Sequence, residues 1–277
     1  MFRSAIQRIN LLCACVIIGT GVVAQVPKKI REFSPGKVEN VSVDRLGNFF
    51  LVFKNGTIKK YDPNGKLLAA MSKETLPTLI EPWFHPKIFV YHRDQQRYAF
   101  FDHNIQEAEM GKVDPSVAVN PWLVCPTNDN KLLVLDKADW SIKKVTLAGA
   151  QVLTEFDIDT TSLASPLDFT YMREYQNLIF LLEKNSGIYI YSNLGKRVNS
   201  IKTVVHNFGF FGEELFYLTD DKVIFYDLYS EKSREIKLQP GRFMIVTDER
   251  IILVNEKNRV LIFEFISGES EGGDRKK

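Results

Sequence analysis

Residues 43–71 read VDRLGNFFLVFKNGTIKKYDPNGKLLAAM. Three short apolar runs are joined by two tight turns. Asn55-Gly56, within Lys54-Asn55-Gly56, is a hairpin-turn signal. Asp62-Pro63-Asn64-Gly65 offers a second turn of turn-forming residues. The first run, FFLVF, is apolar at every position, so it presents apolar side chains to both faces of its sheet. A lone three-stranded sheet of that kind is not stable in water. Something in the same chain must cover both sides.

The cover is a set of copies of the same unit. FFLVF (49–53) recurs as IFVYH (88–92), LLVLD (132–136), LIFLL (178–182), LFYLT (215–219) and IILVN (251–255). A second run follows each: IKKYD (58–62), YAFFD (98–102), IKKVT (142–146), IYIYS (188–192), VIFYD (223–227) and VLIFE (260–264). An extended stretch precedes every pair: 38–44, 78–84, 117–124, 166–172, 204–210 and 242–248. A more polar one follows five of them: KLLAAM, IQEAEM, QVLTEF, KRVNSI and KSREIKL. Four strands repeating about every 40 residues are the signature of a β-propeller. Six copies give an all-β fold, a single six-bladed propeller of four-stranded antiparallel blades over residues 25–267.

The four strands, A to D from the axis outward, carry different demands. Strands B and C lie inside the sheet between neighbouring blades and read as continuous apolar runs. Strand A is the inner edge along the central channel, which tolerates the missing N–H of Pro82 and Pro121. Strand D is the outer edge and is expected to be polar. Blade six lacks a fourth strand, since SGESEGGDRKK follows VLIFEFI. The unassigned stretch VPKKIREF (26–33) is expected to pair with 259–266 and close the ring.

At VDRLGNFFLVFKNGTIKKYDPNGKLL the chain resembles the NHL and TolB-like group of six-bladed propellers. The shared pattern is Asp44-x-x-Gly47-Asn48, an apolar strand, Ile58-x-x-Tyr61-Asp62 and Asn64-Gly65-Lys66; Tyr191 to Lys196 repeats its end in blade four. With its leader and short tail, the chain looks like secreted propellers of Bacteroidetes-type bacteria. The resemblance implies an envelope or surface binding protein and carries over no catalytic residue.

The first 24 residues have a separate character. Arg3 and Arg8 precede an uncharged stretch, LLCACVIIGTGVVA, and no acid occurs among them. The order positive, apolar, small is that of a secretory signal peptide ending near Ala24. A retained anchor, or a lipoprotein carrying its lipid on Cys15, are the alternatives. Removing residues 1–24 takes two Arg from the 36 basic residues, leaving 34 against 34 acidic ones. A net charge of zero does not point to nucleic acid. Cys13 and Cys15 leave with the leader, so Cys125 stands alone in the apolar setting VNPWLVCP, a buried and inert thiol. Residues 268–277 form a polar tail.

No phosphate-binding loop, nucleophile elbow, His-Glu-x-x-His or EF-hand motif is present. Ser141 and Lys144 have Ser-x-x-Lys spacing, but residues three apart on a strand face opposite sides. His85, His92 and His103 all belong to blade two without converging, and Asp157 with Asp159 forms a polar turn, so neither metal nor cofactor is indicated. The strongest candidates lie on strand A. Glu81-Pro82-Trp83 and Asn120-Pro121-Trp122 occupy the same place in adjacent blades, and Asn40, Asp168, Asn207 and Arg242 hold equivalent positions; His206 lies beside Asn207. Polar groups beside aromatic walls make a binding site. Arg173, Glu174 and Tyr175 are placed in the A–B loop of blade four. The leading reading is a non-enzymatic exported scaffold that binds a protein partner, such as an outer-membrane protein. The alternatives are a hydrolase or cyclase using carboxylates such as Glu81 and Asp168 at the channel mouth, and a carbohydrate-binding propeller using Trp83 and Trp122.

Overall fold

The computed structural model describes residues 27–72, 75–83, 87–161 and 166–265. The leader with Cys13 and Cys15, His85 and the tail lie outside the described residues. Among them, the chain forms 24 strands in six antiparallel sheets of four. Blade one is β2 (Val38–Val43), β3 (Phe49–Phe53), β4 (Ile58–Tyr61) and β5 (Leu67–Met71). Blade two is β6 (Leu79–Glu81), β7 (Ile88–His92), β8 (Arg97–Phe101) and β9 (Glu107–Lys112). Blade three is β10 (Pro121–Pro126), β11 (Lys131–Asp136), β12 (Ser141–Thr146) and β13 (Val152–Asp157). Blade four is β14 (Phe169–Tyr175), β15 (Leu178–Glu183), β16 (Gly187–Ser192) and β17 (Arg197–Ile201). Blade five is β18 (Phe208–Phe211), β19 (Glu214–Leu218), β20 (Lys222–Asp227) and β21 (Ser233–Lys237).

The last blade holds β22 (Phe243–Val246), β23 (Arg250–Val254) and β24 (Val260–Glu264), and its outer strand is β1 (Lys29–Phe33). Phe33 pairs with Val260 and Lys29 with Phe263, so the ring closes between the two ends of the chain, as the spare N-terminal strand implied. Phe33 also tilts against Tyr61 of blade one, at 5.3 Å between ring centroids.

Burial follows the strand positions. Every residue of β3 and β7 is buried, and β15 and β23 are buried beyond their first residue. Their side chains fill the spaces between blades, where both faces of each sheet are covered. The repeated turn motifs are part of the same packing. Asp62 Oδ1 accepts the backbone N–H groups of Asn64 and Lys66 at 3.0 and 2.8 Å, and Asp44 Oδ1 accepts those of Leu46 and Asn48 at 2.9 Å. Gly65 (φ +80°) and Gly195 (φ +84°) need a positive φ, and a Cβ there would strike Ile262 and Phe156 of the preceding blade. The residues that carry the family resemblance are therefore punctuation between blades.

The outer strands depart from expectation. β21 is polar, but Leu67, Leu68, Met110, Val152, Leu153 and Val198 are exposed on the D strands of blades one to four. The blades diverge towards the perimeter, so an apolar side chain there is not covered by the next sheet.

Candidate functional site

The six A strands surround the axis, and two cavities lie along it among the described residues. The first, about 430 Å³, opens on the face of the B–C turns; Ser42, Thr78, Arg93, Asp168, Arg173 and Asn207 are among the residues around it. The second, about 290 Å³, opens on the opposite face beside Asp44, Arg45, Trp83, Phe210 and Asp248. Arg173 lines the first cavity, and two rings its guanidinium contacts, Trp83 and Phe210, line the second. These groups form the partition between the cavities.

Pairing register explains why they meet. Ser42, Glu81, Cys125 and Arg173 pair with Phe50, Phe89, Leu133 and Phe180. Each partner stands three residues before the last residue of its B strand, so the four side chains occupy one level around the axis. β14 runs through Tyr175 and turns at Gln176 and Asn177, both at positive φ (48° and 61°), which is a two-residue hairpin turn. Arg173 and Tyr175 are therefore inside strand A and not in a loop. The polar character of TYMREYQN suggested a loop; the strand is polar because it faces the channel.

The two proline-tryptophan triplets do not share a register either. Glu81 ends β6, while Asn120 precedes β10 and Pro121 opens it. Pro82 follows its strand and Pro121 starts one, so similar sequences sit at opposite ends of strand A.

At the partition, Arg173 Nε lies 3.2 Å from Glu81 Oε2, with side chains 5% and 0% exposed. Glu81 also accepts the Trp83 backbone N–H at 2.9 Å and the Tyr171 hydroxyl at 3.2 Å. The guanidinium carbon is 5.0 Å from the Trp83 ring centroid, 5.3 Å from Phe210 and 5.9 Å from Tyr175. Tyr175 stacks on Phe210 at 4.0 Å and donates its hydroxyl to Gly212 O at 2.7 Å. Burial works most strongly against the charged guanidinium, but Glu81, Tyr171 and Tyr175 together outweigh it and raise the Arg173 pKa. Burial, then the Glu81 charge, pushes the Tyr171 hydroxyl far above the ordinary phenol range. Cys125 is fully buried at the same level, and burial raises its thiol well above its ordinary value, which keeps it unreactive.

The mouth of the first cavity is built differently. β2, β10 and β14 each slip register after their first residue, leaving Glu39, Trp122 and Thr170 as bulges. A bulge re-aims a side chain at the end of a strand. Trp122 donates its indole N–H to Phe169 O at 2.9 Å, which joins blades three and four. Arg93 Cζ and Lys137 Nζ each lie 3.6 Å from the Trp122 ring centroid, and Arg93 Nε donates to Trp122 O at 2.7 Å. The entry to strand A is fixed by buried carboxylates. Asp136 accepts the N–H groups of Val119 and Asn120 at 2.9 Å, and Glu183 accepts that of Asp168 at 3.1 Å. Burial alone would raise the Asp136 carboxyl. The N–H groups of Ala138, Asn120 and Val119, with the Lys143 ammonium, instead hold it below its usual value.

The remaining candidates are divided between structure and surface. Asn207 is committed to the next blade: its amide donates to Met244 O at 2.6 Å and accepts from Met244 N at 3.0 Å. Arg242 joins blades six and one through Val38 O and Glu39. Asn40 accepts the N–H of Val41 at 2.7 Å. Asn120 and His206 are exposed, and Asp168 pairs with Lys184 at 3.6 Å. Among the described residues, no group of three or more His, Cys, Asp or Glu is placed to hold a metal.

Arg93 and Lys137 were not among the sequence candidates, although a signal for them exists. Each is the first residue after strand B, and Lys54 and Lys184 hold that place in blades one and four. Aligning the repeats by strand B shows a basic residue in four successive blades on one face.

No family model and no curated protein matches the sequence. Solved structures match in fold. A catalytically inactive variant of virginiamycin B lyase from Staphylococcus aureus, with quinupristin, is 15% identical with a TM-score of 0.52, over 84% of this chain and 83% of that one. The Pan2 WD40 domain of Neurospora crassa is 7% identical with a TM-score of 0.59, over 88% and 98%. BBS1N, in complex with ARL6DN, is 10% identical with a TM-score of 0.58, over 90% and 99%. At these identities the likeness is one of fold.

Proposed function

We propose that the chain is a non-enzymatic binding module of the NHL and TolB-like kind, exported through its leader, that holds a protein partner in the cell envelope on the B–C-turn face. The observation that carries the reading is the row Lys54, Arg93, Lys137 and Lys184, repeated at one position in blades one to four. Among the described residues, Arg93 and Lys137 have no carboxylate within ion-pair distance, and both pack on Trp122. Arginine beside a half-buried tryptophan is the composition of an interface hot spot, and four cations on one rim suit a partner with an acidic surface. Buried Glu81, Asp136 and Glu183 are occupied by structural hydrogen bonds, which favours binding over carboxylate catalysis. The BBS1N structure, similar in fold, is a complex with ARL6DN, which supports the reading. Immobilised protein exposed to solubilised native envelope tests this. A captured partner that elutes as salt rises from about 0.05 to 0.5 M, as charge screening requires, supports it; retention independent of salt contradicts an acidic-surface contact.

A further inference from the structure

The first cavity is closed at its inner end by a cation with unused hydrogen-bonding capacity. Arg173 is 4% exposed, and neither its Nε nor its Nη2 has an aligned hydrogen-bond acceptor among the described residues. Nε has Glu81 beside it as a counter-ion, whereas Nη2 is left without an acceptor among those residues. A buried donor without an acceptor is costly, and guanidinium planes favour planar oxygen pairs. One wall of the cavity is apolar, with Val41, Phe208, Phe243 and Met244, and Arg93, packed on Trp122, also lines it. Two of the acids around the cavity are turned to other partners, Glu39 to Arg242 and Lys37 and Asp168 to Lys184, and Asp94 stands beside Arg93. The volume of about 430 Å³ is that of a small-molecule pocket.

We propose that this well binds a small monocarboxylate with a compact apolar body, its carboxylate seated on Arg173 and its body against the Val41–Phe208–Phe243 wall. Arg93 belongs both to this well and to the rim that the protein partner uses, but the carboxylate is seated on Arg173, which is no part of that rim, so either reading can fail without the other. Ser42 supplies the means to test it. It lines the cavity at the level of Arg173 and belongs to blade one, three blades away across the ring. Ser42→Leu fills the floor while keeping both members of the ion pair.

The probes are 3-phenylpropionate and 3-phenylpropionamide, equal in shape and different in charge, followed by saturation-transfer NMR on the full chain. The acid is expected to bind on the order of ten-fold more tightly than the amide, since a charge-assisted hydrogen bond is roughly twice as strong as a neutral one. Ser42→Leu is expected to abolish the signal with an unchanged melting temperature, and Glu81→Gln/Arg173→Met to remove the preference for the acid. Equal binding of acid and amide, an unaltered signal in Ser42→Leu, or no saturation transfer to the acid at about 10 mM would overturn the proposal.

Discussion

Replacing Arg173 with methionine removes the cation and leaves the aliphatic volume. Glu81, with its side chain 0% exposed, is then an anion with two hydrogen bonds and no counter-ion. Breaking one side of a buried pair costs about 3–5 kcal/mol, because the remaining charge is not compensated. The three rings around Arg173 also lose their cation–π contacts, each worth roughly 0.5–2 kcal/mol, while methionine recovers part of the packing. A net loss of about 4 kcal/mol is expected. At roughly 2–4 °C per kcal/mol for a chain of this size, the melting temperature should fall by roughly 8–16 °C. The double variant Glu81→Gln/Arg173→Met removes both charges and should recover most of the loss, since neutral replacement of a buried pair is often tolerated. Urea denaturation of wild type, both single variants and the double variant gives the coupling energy. Additive single losses, with no recovery in the double variant, would show that Glu81 and Arg173 do not act as a pair.

Deleting residues 27–33 removes the strand that closes blade six; at about 3 kcal/mol for its ladder and the Phe33–Tyr61 contact, a fall of roughly 6–12 °C in melting temperature is expected, and an unchanged curve would refute closure by β1. Trp83→Ala should destabilise by about 2–3 kcal/mol, because the half-buried ring packs against Arg173, Arg45 and Tyr175; loss of partner binding at full stability would place the ring on the interface instead. The depressed carboxyl of Asp136 contributes stability that is complete above its unfolded value of about 3.9 and is lost as pH falls through the lower folded value. Asp136→Asn should therefore be less stable than wild type at neutral pH, by about 2 kcal/mol, and the gap should narrow as pH falls below about 4 in chemical denaturation series.

The architecture was legible because each blade imposes the same demands on its middle strands. β3, β7, β11 and β15 are covered on both faces, so they must be continuously apolar, and that pattern survives without any other sequence for comparison. Closure by residues 26–33 followed from counting strands. The site was less legible. Trp83 and Trp122 look alike in sequence, yet β6 has only three residues, which moves the first triplet to the far end of its strand. The Glu81–Arg173 pair joins blades two and four across the axis, and nothing local to either residue announces the other. Arg173 itself was visible, but a charged residue in a strand looks like a loop residue unless the channel it faces is known. The basic row after strand B was present in the repeats and was missed because apolar runs, not the turns behind them, guided their alignment.

The central claim is that the B–C-turn face holds an acidic protein partner. Its most direct test is capture from native envelope by wild type and by Lys54→Glu/Lys137→Glu/Lys184→Glu, with Leu194→Glu on the opposite face as control. The expected result is a partner retained by wild type and by the control and lost by the triple variant, at equal melting temperatures. Equal capture by the triple variant, or loss in the control alone, would contradict the claim.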